Sequence, residues 1–523
     1  MDSTASLKDS RVQIAEPRKP ISTVGLNESA VRTASRPVTA MLSRLFFRIA
    51  LFIRSCFATA HAVVVTLVSL TIFFVGCAIL LVGGLGLVWL GLEEKPNSAF
   101  QDLMGARPQF TEDASRNGAL FLLGFAAPES KDPIQAGLAI QNERADLIEA
   151  NGCLTLDDPG VSQSDQVSAS ALAKWYREDI PSIPFRDKAT MIKDWTRSGA
   201  VSLARYQKWL TLPFDDTGYG QAATPDCRLI LDTHRLFVAE GFAQGLDQGV
   251  ERIETDITMW RGLLRKAKTL GTKLLAVAAV TDDARVVSGL LTMPELDARY
   301  LPKLAKLVPP MDSVEQSLRW PMQHEFLLEK KRIDMALRTD RQPARPWYLA
   351  GVALMPLPDQ RILNNYADYY EDLIKSVETA RTMPTLPSSY VHVRTPAAGV
   401  LDYLMNPVNN IVEVSPGPAW EQPVGRIRET DALLRLTSLQ VWIRKGAADG
   451  DVKTRVAKAG QNFYDPFTGY PMLINPANNR LYSVGANGKD DDADPQKDVS
   501  VRLPAVGASP SLNAGSAPTT SSR

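Results

Sequence analysis

Apolar residues first gather in one unbroken run and then settle into a helical rhythm. Residues 62–92, AVVVTLVSLTIFFVGCAILLVGGLGLVWLGL, carry no charge. A bilayer core of about 30 Å needs about 20 apolar helical residues, so this run spans with length to spare. It exceeds the roughly 7–15 apolar residues of a cleavable signal, and no small-x-small site follows it cleanly, so it reads as an uncleaved signal anchor. Arg32, Arg36, Arg44, Arg48 and Arg54 precede the run, and Glu93 and Glu94 follow it. Lys and Arg stay on the cytoplasmic side. The N-terminus is therefore expected in the cytoplasm and the chain from about residue 95 outside, in the periplasm of a bacterium. Residues 41–57, MLSRLFFRIALFIRSCF, mix arginine with apolar positions, which suits either an interfacial helix or a plain extension of the anchor.

Beyond the anchor, 3.6-residue periodicity dominates residues 130–445. Asp132-Pro133 opens a helix with a cap and a first-turn proline. Further helical patterns cover 162–179 and 185–210, the latter with Met191, Trp195, Ala200, Leu203, Tyr206 and Leu210 at helical spacings. The strongest is residues 226–270, proline-free and amphipathic, which predicts one long helix answered by an antiparallel return helix over 272–293. Gly241, Gly245 and Gly249 fall four apart on that long helix and mark a face for close approach. Patterns over 311–338, broken before Pro321, and over 358–382 and 421–446 complete the helical part. The fold expected is mainly α: a single N-terminal transmembrane helix, then an irregular helical body with a small C-terminal β-hairpin. Its divisions are a disordered cytoplasmic tail (1–40), a basic juxtamembrane segment and transmembrane helix (41–92), a periplasmic α-helical domain (95–447), a C-terminal β-hairpin and acidic loop (460–502), and a disordered tail (503–523).

Composition narrows the chemistry. Of 523 residues, 58 are Lys or Arg and 58 are Asp or Glu, so the chain lacks the basic excess that nucleic-acid binding demands. Four histidines and four cysteines argue against an elaborate zinc or haem site. His324-Glu325 begins a metalloprotease helix, but position 328 is Leu where the second histidine belongs. His234 and His392 each stand alone and read as structural. Glu371-Asp372 is a carboxylate pair that reads as a solvated face, and Trp195, Trp209, Trp260 and Trp320 read as core anchors. Cys56 and Cys77 lie beside or within the membrane helix. Cys153 and Cys227, both outside, are candidates for a disulfide in an oxidising compartment.

The C-terminal segment reads FYDPFTGYPMLINPANNRLYSVGANGKDDDADPQKDVSVRLP. PMLIN and RLYSVG predict two strands reversed by PANN. This stretch resembles the C-terminal loop of the major pseudopilins of type II secretion systems, through Asp465, Pro466, Phe467, Gly469, Pro471, Tyr482, Ser483, Gly485, Ala486, Asn487, Gly488, Asp492 and Asp494. The resemblance implies a calcium site with Ser483, Asp492 and Asp494 as ligands. It covers under a tenth of the chain, and the helical body is foreign to that family. The body together with this tail is similar to a family of uncharacterised bacterial membrane-anchored helical proteins. An EF-hand is excluded, because the sixth position counted from Asp490 is Pro495 rather than Gly.

These readings converge on a single-pass inner-membrane protein whose periplasmic helical domain is an interaction or scaffold module in an envelope or secretion assembly. Its expected partners are membrane lipid, through the anchor, and envelope proteins. The alternative is an anchored enzyme acting on cell-wall glycan or peptide with carboxylates in a cleft. No catalytic residue is singled out.

Overall fold

The computed structural model describes residues 36–90, 95–110, 113–143, 166–177, 182–216, 225–339, 359–379, 421–446 and 451–504. The chain divides into two compact units, Met1–Gly86 and Leu87–Arg523.

The first unit carries most of helix α1, Arg36–Leu90. Its stretch Met41–Gly84 contains an 18-residue window of mean hydropathy 2.7, none of it buried within the protein, so it is long and apolar enough to cross a membrane. At 1.5 Å per residue that stretch runs about 66 Å, roughly twice a bilayer core. The basic segment is thus a continuous extension of the anchor rather than a separate helix. Hydroxyls of Thr59, Thr66 and Thr71 donate to the carbonyls of Ser55, Ala62 and Leu67, so each polar side chain is satisfied within the helix.

The second unit is mainly helical. Its helices are α2 (Ser98–Leu103), α3 (Gly118–Leu123), α4 (Pro133–Glu143), α5 (Gln166–Arg177), α6 (Ser182–Asp187), α7 (Ala189–Ser198), α8 (Ala200–Trp209), α9 (Cys227–Gln244), α10 (Leu246–Lys266), α11 (Leu270–Thr292), α12 (Leu301–Leu307), α13 (Ser313–Gln316), α14 (Arg319–Thr339), α15 (Asp359–Thr379), α16 (Glu421–Lys445) and α17 (Val452–Lys458). Asp132 accepts the N–H groups of Ile134 and Gln135 and starts α4, as its sequence predicts. Asp312 and Glu315 close a capping box on α13, and α14 begins two residues before Pro321, which sits harmlessly in the first turn.

Two expected helices are divided. The pattern over 185–210 yields separate helices that meet at Lys188 and Gly199. The long helix over 226–270 turns back on itself at Gly245, whose φ of 146° and ψ of 165° lie where a side chain would be strained. α9 and α10 therefore form a hairpin, and α11 is its third member rather than the return of one long helix. The flanking glycines make the tip. A Cβ on Gly249 would fall 2.2 Å from the Phe242 ring, and one on Gly241 would fall 2.7 Å from the Arg252 side chain. The close approach expected of these glycines exists, but between two halves of the predicted helix.

α11 is buried along nearly its whole length and packs against α9, α10 and α16. A helix apolar on all faces belongs in the middle of a bundle. Trp209, Trp260, Tyr176, Tyr206, Phe121 and Phe185 are fully enclosed in the same core. Arg444 of α16 donates to the carbonyls of Leu291 and Met293, capping the negative end of α11 with a cation.

Three antiparallel strands, β1 (Leu473–Asn475), β2 (Arg480–Ser483) and β3 (Val499–Arg502), form a sheet in that order. Leu473 faces Tyr482 and Asn475 faces Arg480, which is the expected hairpin. The third strand was not expected: it pairs Arg480 with Arg502 and Ser483 with Val499. The acidic loop is the connection between β2 and β3. Met472, Leu481 and Val501 join the helical core, and Gln440 of α16 donates to the carbonyl of Arg502.

Candidate functional site

Four helices in succession each place one polar side chain at a common point in the core. α8 supplies Tyr206, α9 His234, α10 Asp256 and α11 Asp283, and all four are fully buried. Each lies on the apolar stripe of its own helix. Ile230, Leu231, Phe237 and Val238 flank His234; Ile253, Ile257 and Trp260 flank Asp256; Ala279, Val280, Val286 and Val287 flank Asp283. Amphipathicity thus turns these groups inward with their neighbours.

Asp256 is the hub. The Tyr206 hydroxyl donates to its Oδ1 at 2.6 Å, and His234 Nδ1 lies 2.6 Å from its Oδ2. Trp260, one turn along α10, donates its indole N–H to the Tyr206 oxygen at 2.7 Å. Tyr206 Oη is also 3.3 Å from His234 Nδ1. One ligand atom each from His234, Asp256 and Asp283 lies within 4.8 Å of the others. No N–H or hydroxyl donor reaches either enclosed oxygen of Asp283, whose carboxyl meets that of Asp256, and Nε2 of His234 is enclosed without a hydrogen-bond partner. Burial, then the neighbouring charge of Asp256 and a hydrogen bond with it, drives the Asp283 carboxyl well above the usual carboxylate range. Burial likewise raises the phenols of Tyr206 and Tyr176. Rings of Trp209, Trp260 and Tyr176 wall the cluster, with His234 and Trp260 edge to face at 6.1 Å. Asp282, the neighbour of Asp283, instead pairs with Arg235, whose guanidinium also meets Asp232.

The C-terminal residues singled out from the sequence are arranged differently. Ser483 is buried, and its hydroxyl donates to Asp465 Oδ1 at 2.9 Å. Asp465 also accepts the N–H groups of Phe467 and Val484, tying the segment before β1 to the end of β2. Asp492, with φ of 59°, is exposed, and its carbonyl accepts from Asn475. Asp494 accepts the N–H of Gln496 and faces Lys497 at 3.8 Å. Lys497 sits closer to Asp491, at 3.1 Å, and Asn487 donates to the same carboxylate. Those two hydrogen bonds, Asn487 first, hold the Asp491 carboxyl below the ordinary range. Tyr482 donates to Asp490, and Asp498 accepts from the Ala493 N–H. Ser483 and Asp494 thus each have a local partner of their own.

Cys227 is disulfide-bonded, and Cys153, its expected partner, lies outside the described residues, as does His392. Glu371 faces inward rather than to solvent and meets Arg319 at 3.4 Å, while Asp372 is exposed. Trp209 and Trp260 are core residues, as expected. An open groove of about 520 Å³ between the segment that follows α8 and helix α10 is lined by Leu212, Phe214, Glu254, Met259, Leu263 and Lys266, among others, and offers one carboxylate.

Sequence reasoning missed the buried cluster. Its signal was present: one titratable residue on the apolar stripe of each of three successive helices. Taken alone, each residue reads as an isolated oddity. The fold defines a mainly helical protein with, among the described residues, one helix long and apolar enough to cross a membrane. The chain matches no protein-family model, no curated protein and no solved structure.

Proposed function

We propose that this chain is a single-pass bacterial inner-membrane protein, with its N-terminus in the cytoplasm, whose periplasmic helical domain is an interaction module in an envelope or secretion assembly. The observation that carries the reading is a helix long and apolar enough to cross a membrane, joined in sequence to a body whose convergent titratable cluster is sealed from solvent. A sealed cluster holds a fold together and meets no external substrate. The basic flank of the anchor supports the orientation. The groove, with Glu254 as its one acid, gives no support to a two-carboxylate hydrolase.

Contacts need an anchor on the surface, and Tyr470 is suited to be one. Its ring is 72% exposed, yet its turn is stiff: the Asp465 N–H donates to the Tyr470 carbonyl and the Gly469 N–H to the Asp465 carbonyl, both at 2.8 Å. An exposed aromatic held on a rigid turn loses little entropy on binding. The test is a photoreactive residue at Tyr470, with one at exposed Lys458 as control, irradiated in intact membranes. A discrete adduct at 470 that is missing at 458 is expected. Equal background at both positions counts against Tyr470 as the contact. Labelling of introduced cysteines at residues 20 and 470 by an impermeant reagent tests the orientation: only the second reacts in intact spheroplasts.

A further inference from the structure

We propose that His234, Asp256, Asp283 and Tyr206 form a closed mononuclear site for a divalent cation that prefers nitrogen and oxygen ligands, with zinc the best match. One side chain from each of four packed helices meets at one level of the core, which is how helical bundles build metal sites. The set offers an imidazole nitrogen, two carboxylates and a phenol oxygen. That is the number and type of donors a tetrahedral zinc site uses.

Two further observations point to a cation. Asp283 is fully enclosed, no N–H or hydroxyl donor reaches either of its oxygens, and the group it meets is a second acid, Asp256; one ligand atom each of Asp283, Asp256 and His234 lies within 4.8 Å of the others. Among the described residues no lysine or arginine side chain is bonded to the cluster. Arg235, the cation on the same helix as His234, is engaged by Asp232 and Asp282. Two buried carboxylates beside one imidazole need positive charge between them, and a divalent ion supplies it.

The spacing is compatible. Two ligands each 2.0–2.1 Å from a tetrahedral metal stand about 3.3 Å apart. Tyr206 Oη and His234 Nδ1 are already 3.3 Å apart. His234 Nδ1 and Asp256 Oδ2, at 2.6 Å, would separate by under about 1 Å as the ion replaces the shared hydrogen. Trp260, donating to Tyr206, orients that ligand from behind. Enclosure by Trp209, Trp260 and Tyr176 leaves no open coordination position toward solvent, which marks a structural rather than a catalytic ion. Binding releases the carboxyl proton of Asp283 and the phenol proton of Tyr206 to solvent as the domain folds around the ion, and leaves the proton of the neutral imidazole on His234 Nε2.

The test uses the full-length chain, purified in detergent from cells grown with added zinc and measured for bound metal after dialysis. About one zinc per chain is expected, falling at least ~10-fold in Asp283→Asn, which keeps the side chain's shape. Chelator should lower the melting midpoint of the wild-type chain, and added zinc should restore it. Tyr206→Phe, a milder change, should weaken zinc retention while the chain still folds. A folded wild-type chain without stoichiometric zinc, manganese or iron overturns the proposal. So does an Asp283→Asn chain that keeps its full metal content. If Asp283→Asn fails to fold, coincident wild-type melting curves with zinc and with chelator overturn it equally.

Discussion

The buried cluster and the acidic loop carry similar residues to opposite ends. In the loop between β2 and β3, Asp490, Asp491, Asp492 and Asp494 are neighbours in sequence, and so they look like a site. Folded, three of the four turn to local partners: Asp490 to Tyr482, Asp491 to Asn487 and Lys497, Asp494 to Gln496 and Lys497. In the core, Asp256 and Asp283 are 27 positions apart on different helices, and Tyr206 lies 50 positions before Asp256. There they meet, without water, around one histidine. Proximity in sequence gives acids to the surface, where backbone amides and lysine satisfy them. Convergence in space requires a fold, and only burial makes such a meeting costly enough to mean something.

The sharpest way to break this contrast is to remove a carboxylate from each region. Asp256→Ala leaves the Tyr206 hydroxyl and His234 Nδ1 enclosed without their acceptor. Breaking a buried charged network in this way costs about 3–5 kcal/mol. Asp494→Ala removes a half-exposed group that faces Lys497 at 3.8 Å, and should cost under about 1 kcal/mol. Chemical denaturation of both variants checks the ratio. Equal losses would mean that the core cluster is no more tightly built than the loop.

A second buried charge sharpens what burial does. Lys273 of α11 is enclosed, and its ammonium donates to the Leu264 carbonyl at 2.7 Å. Loss of water, outweighing the attraction of Glu315 and Asp312, lowers its pKa from 10.5 to about 7. Between about pH 7 and 10.5 the unfolded chain then binds more protons than the folded one, so this group makes stability rise with pH across that window. Below about pH 7 both states are charged and the full penalty is present. Lys273→Met should therefore stabilise the domain at pH 6, by about 2–4 kcal/mol, with the advantage shrinking steadily to pH 10. Melting curves of the two chains from pH 6 to 10 would show it, and a constant difference would refute it.

The α9–α10 tip gives a smaller effect and a lesson about legibility. Gly249→Ala forces a methyl toward the Phe242 ring and should cost about 1–3 kcal/mol in a urea melt, whereas Gly262→Ala, with open space around it, should stabilise slightly. From sequence, the anchor, the helical class, most helix positions and the β1–β2 hairpin were legible, because each is written in local periodicity. The break at Gly245 was not, because a glycine inside an amphipathic pattern looks the same whether the helix continues or folds back. β3 was missed because VSVR is short and lies beyond an acidic loop, and its pairing with β2 is not local. Leu433, Leu434, Leu436 and Leu439 were readable as the buried stripe of α16. The site was the least legible part: His234, Asp256 and Asp283 gain meaning only once α9, α10 and α11 are known to be neighbours.

The smallest effect concerns Ser483, the residue that the pseudopilin resemblance makes a calcium ligand. Its hydroxyl is donated to Asp465, which keeps two backbone N–H partners without it. Ser483→Ala should therefore cost about 1 kcal/mol, the net value of that bond with a small addition from the longer one that its oxygen accepts from the Gly485 N–H, and should do so equally with and without calcium. A calcium ion held by Ser483, Asp492 and Asp494 would require the Ser483 hydroxyl to leave Asp465, and the tie between the start of β1 and the end of β2 would have to re-form. Melting of the wild-type chain in millimolar calcium and in chelator decides between the two arrangements. Coincident curves keep Ser483 in its structural bond. A midpoint that rises with calcium, and no longer does so in Ser483→Ala, would place the ion in the loop and make the two regions alike after all.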